Sequence, residues 1–102
     1  MNKVLDCPVL GMTEEFPSTL YVLRHPPSAK YGCYCHQGIH GLASFSNQES
    51  AFRFAEFIDL SGMVSEEVDF DRAREIAKER PMPIISLMLL DDLREPVIHY
   101  VR

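Results

Sequence analysis

From Ile84 to Leu90 the chain reads Ile-Ile-Ser-Leu-Met-Leu-Leu, with apolar side chains at odd and even positions alike. Successive side chains of a strand point to opposite faces. A strand of this composition therefore needs apolar cover on both faces, or a place at an interface. The run is strand-sized, well short of the ~18 or more apolar residues that a membrane span takes. A chain of 102 residues has room for one core, so this segment predicts a single domain with a central strand.

The other elements follow from spacing. Thr19-Leu-Tyr-Val-Leu-Arg-His25 is rich in β-formers and stops at Pro26-Pro27, which predicts a strand. Pro26 to Gly32 reads as a loop. A second strand is expected within Cys33–Phe45, with Gly38 and Gly41 marking a bulge, a bend or a close backbone approach. Ser46-Asn-Gln-Glu49 matches a capping box. After it, Ala51, Phe54, Ala55 and Ile58 recur at helical spacing, Phe52, Phe57 and Leu60 widen the apolar face, and Gly62 is the stop. Met63 to Val68 is a short strand. Asp69 caps a second helix, Phe70 to Arg80, with Phe70, Ala73, Ile76 and Ala77 inward, ended by Pro81 and Pro83. Asp91 to Glu95 is a turn, and Pro96 to Val101 is the final strand, its leading proline suiting a strand start or an edge.

The expected fold class is α/β (α+β): a two-layer sandwich in the order β-β-α-β-α-β-β, with a mixed sheet and both helices packed on one face. Right-handed crossovers through the helices make strands two, three and four parallel, and short loops make the first and last pairs antiparallel. Residues 1–18, with Pro8, Gly11 and Pro17, read as an irregular arm, and residues 19–102 as the domain.

Composition narrows the function classes. Ten Lys and Arg against fifteen Asp and Glu give a net charge of −5, and the basic residues are scattered among acids. Nucleic acid is not an expected partner, because its phosphates are met by a clustered basic surface. The N-terminus lacks the apolar run of a secretory signal, so the cytoplasm is the expected compartment and no membrane is expected as a partner. An odd count of three cysteines in a reducing compartment predicts free thiols.

Metal-ligating and nucleophilic side chains concentrate in one place: Cys33, Cys35, His36 and His40. Thiolate and imidazole are the donors zinc prefers, but structural zinc sites use two spaced pairs. On an extended strand Cys33 and Cys35 share a face while His36 points away, so convergence on zinc requires a sharp turn, for which Gly38 is available. His25 and His99 are the more distant alternative ligands. A thiol enzyme needs a cation or base beside the cysteine, and sequence adjacency on a strand does not provide one. The competing reading is that the cysteines are small buried hydrophobes and the histidines surface residues, with no cofactor. His99, between Val97 and Val101 on one strand face, reads as a core or interface residue. Gly38-Ile-His-Gly41 has neither the spacing nor the lysine of a phosphate loop.

A strand ending Ala43-Ser-Phe-Ser46, followed by an acid and the Ala51-Phe-Arg-Phe-Ala55 helix, resembles a pattern found in several small bacterial families of unassigned function. The resemblance implies no activity. The leading expectation is a non-enzymatic binding or interaction module that forms a homodimer through Phe52 and Phe57 or beside the final strand. The alternatives are a metal- or thiol-dependent protein using Cys33, Cys35, His36 and His40, and a small-ligand regulatory domain.

Overall fold

The computed structural model describes residues 16–57 and 62–102. The expected Ile58 and Leu60 contacts, and residues 1–15 of the arm, lie outside the described residues. Among the described residues nine elements form: β1 (Thr19–His25), β2 (Lys30–Tyr31), β3 (Cys33–His36), β4 (Ile39–Phe45), α1 (Gln48–Phe57), β5 (Val64–Asp69), α2 (Phe70–Glu79), β6 (Ile84–Leu89) and β7 (Val97–Tyr100). All seven strands join one mixed sheet, so the α+β class is as the sequence predicts.

The region expected to hold one strand is a hairpin. Gln37 and Gly38 have φ of +50° and +84°, the left-handed pair that a tight two-residue hairpin turn demands. β3 and β4 pair across this turn from His36↔Ile39 to Cys33↔Leu42. Lys30–Tyr31, expected as loop, pairs with His25 and Arg24 of β1. β1 and β4 pair directly at Tyr21↔Phe45 and Val22↔Ser44. Three ladders thus meet at Gly32, whose N–H donates to Leu23 O at 2.8 Å and whose carbonyl accepts from Ala43 N at 3.0 Å. Beyond Gly32 the β1–β2 and β3–β4 hairpins diverge.

β4 pairs with β6 in parallel, with a register shift between His40 and Gly41, where the sequence marks an irregularity. β5 is antiparallel to β1, which is antiparallel to β4, so β4, β5 and β6 share one direction as expected. The step from β4 to β5 passes β1 one way, and the step from β5 to β6 passes back. Right-handed crossovers in opposite directions place their helices on opposite faces. The core shows this division. Ala51 and Phe54 of α1 cluster with Leu23, Ala43, Phe45, Met88 and Leu90. Ala73, Ile76 and Ala77 of α2 cluster with Leu20, Val22, Leu42 and Leu87. Neighbours Val22/Leu23, Leu42/Ala43 and Leu87/Met88 fall in different clusters, so each face carries one helix rather than one face carrying both. This is why the Ile84–Leu90 run is apolar at both parities.

The helix starts are set locally. Asn47, not Ser46, caps α1: its Oδ1 accepts from Ser50 N at 2.8 Å, while Ser46 N donates to Asp91 Oδ1 at 3.0 Å. Asp69 caps α2 as expected, accepting from Arg72 N at 2.7 Å. The α2 C-terminus is tied down by Arg102, whose guanidinium donates to the carbonyls of Lys78, Arg80 and Ile84.

Candidate functional site

The register of the β3–β4 hairpin decides how the Cys/His segment is displayed. Cross-strand partners share a face, so Cys33, Cys35, His40 and Leu42 lie together on the α2 side. Tyr34, His36 and Ile39 lie on the α1 side, where Tyr34 meets the Phe54 ring edge-on at 5.6 Å. The Ala43 N to Gly32 O bond makes Cys33↔Leu42 a non-hydrogen-bonded pair, and by alternation Cys35↔His40 is another. Such pairs are the close ones, with Cα atoms about 4.5 Å apart. Three of the four residues expected as zinc ligands therefore share a face, and His36 is directed away from them. Among the described residues no group of three His, Cys, Asp or Glu side chains gathers as a metal site. The turn at Gly38 reverses the chain without changing the alternation of faces, so it does not bring His36 round.

The two cysteines differ. Both are exposed residues, not the buried hydrophobes of the competing reading, but the Cys33 Sγ leans onto the Tyr31 carbonyl at 3.6 Å. Burial there pushes the thiol above its ordinary range, and the Arg80 guanidinium, which stacks 5.0 Å over the Tyr31 ring, pulls the other way. Cys35 is exposed. Iodoacetamide labelling at neutral pH, resolved by peptide mass spectrometry, is expected to modify Cys35 several times faster than Cys33. Equal rates would show that burial does not control the Cys33 thiol.

His25 is engaged locally, its Nδ1 lying 2.7 Å from Ser28 Oγ. His99 pairs with Leu87 and so faces α2, its ring 5.3 Å from Phe70 and 6.1 Å from Phe16. Its Nδ1 is buried without a hydrogen-bond partner among the described residues. Burial, helped by the Arg74 charge, holds its pKa below the usual histidine range. The packing fits the reading of His99 as a satisfied core or interface residue, but its Nδ1 is not satisfied among the described residues.

An apolar concavity lies elsewhere. A groove of about 320 Å³ runs between α1 and the turn after β6, lined by Ser50, Arg53, Phe54, Phe57, Leu90, Asp91 and Leu93. Ser50, Arg53, Phe54 and Phe57 form one helical stripe, because residues three and four apart stack on one side. Phe54 and Leu90 make the buried floor, and Phe57, 72% exposed, stands on the rim. The charged groups are Arg53, which makes no ion pair among the described residues, and Asp91, which already accepts from Ser46 N. The groove opens near the carboxyl ends of the parallel pair β4 and β6, the end at which open sheets of this kind bind ligands. Phe52, 49% exposed, is five residues from Phe57 and so lies on a different side of α1.

Sequence reasoning placed Phe54 and Phe57 on the helix but not in a groove. The available signal was an arginine, Arg53, on the same helical stripe as Phe54 and Phe57. The opposing wall, Leu90 to Leu93, comes from a segment far along the chain, and nothing local joins the two. In comparisons with known proteins, the chain matches no family model, no curated protein and no solved structure. Among the described residues no helix is long and apolar enough to cross a membrane.

Proposed function

We propose that this protein is a non-enzymatic binding module that works as a homodimer and takes a small apolar ligand bearing one anionic group. The observation that carries the ligand reading is the groove: an apolar floor with one guanidinium free of carboxylate partners among the described residues. Its volume is within the range of small-molecule pockets, roughly 300–1,000 Å³. Arg53 matches a carboxylate through paired N–H donors, and Phe54, Phe57, Leu90 and Leu93 match a hydrocarbon or aromatic body. Ser50 is the only nucleophile type on the wall, and the one carboxylate there, Asp91, is already engaged by Ser46 N, so the site favours recognition over catalysis.

Thermal unfolding in the presence of 3-phenylpropionate and hexanoate tests this. A ligand at a hundred times its dissociation constant adds about 2.7 kcal/mol. We expect stabilisation by the carboxylates, little by 3-phenylpropionamide, and loss of the effect in Arg53→Gln. No stabilisation by either acid, or an equal effect in Arg53→Gln, removes this ligand class.

A further inference from the structure

Among the described residues the outermost strands of the sheet are β5 and β7, while β2 and β3 have unpaired edges only in the gap where the two hairpins diverge. An exposed edge is a template for another strand unless charge, proline or a bulge blocks it. β5 is blocked by charge. Two copies joined edge to edge about a two-fold axis must pair residues from the same face. The symmetric registers that use most of β5 therefore set Glu66 or Glu67 against its own copy.

The outer edge of β7 has no such guard. Val97-Ile-His-Tyr100 contains no acid, lysine or arginine, and Pro96 precedes it. Val101 N donates to Ile85 O at 3.0 Å, so the backbone groups of residues 97, 99 and 101 point inward to β6. By alternation, the N–H and carbonyl of Ile98 and Tyr100 point outward. Arg102, the next charge, folds its side chain back onto the carbonyls of Lys78, Arg80 and Ile84. It leaves the edge clear.

We propose that β7 pairs with β7 of a second copy in an antiparallel ladder centred on His99, joining two sheets into one. The inference rests on the reading of the protein as a homodimer and names its interface. In this register Ile98 of each copy lies opposite Tyr100 of the other, and each such pair exchanges both main-chain hydrogen bonds. Tyr100, 48% exposed in the single chain, packs on isoleucine across the seam. Val97 lies opposite Val101, and the two His99 residues form the close, non-hydrogen-bonded pair on the two-fold axis. A register centred on Ile98 instead sets Tyr100 against Pro96, which has no N–H to give.

Sedimentation velocity on the full chain tests the proposal, using Tyr100→Pro. This substitution removes an outward N–H and leaves the β6–β7 ladder intact. The wild type is expected to sediment as a dimer at micromolar concentration, and Tyr100→Pro as a monomer with an unchanged far-ultraviolet spectrum. Glu67→Lys, on the opposite edge, is expected to leave the dimer unchanged. A second measurement does not depend on proline. In a Cys7→Ser, Cys33→Ser, Cys35→Ser background, His99→Cys is expected to form an intermolecular disulfide on mild oxidation, because its close partner is itself. Ile98→Cys, opposite Tyr100, is expected to cross-link far less. A folded Tyr100→Pro variant that remains dimeric, or equal cross-linking at 98 and 99, overturns the β7 interface while leaving the homodimer standing. A monomeric wild type overturns both, and leaves the ligand groove to its own test.

Discussion

Phe45→Ala is expected to destabilise the protein by about 3–5 kcal/mol, the usual loss for emptying a fully buried phenylalanine site. Phe45 is completely buried at the end of β4, its ring 5.3 Å from that of Phe54, in the cluster that joins α1 to the sheet. It also pairs with Tyr21 where β1 and β4 meet directly. The cavity would therefore open under the helix that forms one wall of the groove. Total stabilities of single domains are only about 5–15 kcal/mol, so the variant should lose a large share of its denaturant resistance. Urea unfolding of Phe45→Ala beside Phe52→Ala checks this. Phe52 is half exposed, and its replacement should change stability by less than about 0.5 kcal/mol. Comparable losses in the two variants would mean that α1 is not seated on the sheet through Phe54 and Phe45.

Gly41→Ala is expected to cost about 1–3 kcal/mol through overpacking at the parallel β4–β6 contact. A Cβ at Gly41 would stand 2.5 Å from Ser86 Oγ and 2.7 Å from Met88 Cγ, closer than non-bonded atoms approach. Neither neighbour can move freely. The Ser86 hydroxyl donates to His40 O at 3.0 Å, and Met88 is fully buried. Hydrogen exchange gives the sharper readout: amides of β6 should exchange faster in Gly41→Ala, while those of the β1–β5 ladder change less. At Gly32 the same substitution meets Leu23 Cβ at 3.3 Å, a milder conflict, and should cost less. If Gly41→Ala is as stable as the wild type, the close approach of β4 and β6 is not what requires glycine there.

Acid should weaken the fold through His99. Burial holds its pKa low, so the unfolded chain takes up a proton that the folded chain resists. The contribution is complete above the unfolded pKa of about 6.5, declines as pH falls below it, and levels off once the folded histidine is itself protonated. Within the fold Arg74 of α2 adds to the penalty, and Phe16 and Phe70 offer the charged ring no polar partner.

Much of the architecture was legible because its signals are local. Asp69 before an apolar stripe, Pro81 and Pro83 after it, and Pro96 ahead of an alternating run each act within a few residues. The positive-φ turn at Gln37-Gly38 was marked only by its glycine, so a hairpin read as one bent strand. The cap of α1 shifted from Ser46 to Asn47 because Ser46 N–H is taken by Asp91, a residue from the other end of the chain. The Cys/His cluster looked promising because proximity in sequence was plain while facing was not. Its fate turned on the β3–β4 register, which places His36 on the opposite face from Cys33, Cys35 and His40.

The sequence by itself determined the order of elements, the shared direction of β4, β5 and β6, and the need to cover a doubly apolar central strand. Each of these is carried by side-chain periodicity or by the handedness of short connections. Only the tertiary structure decided that the helices divide between the two faces, since this depends on β5 lying outside β1. It also decided that Arg53 faces Asp91 across a groove, and that Ile98 and Tyr100 turn their backbone groups outward. Those are facts of strand order and register. They arise from contacts between distant segments, which no local pattern encodes.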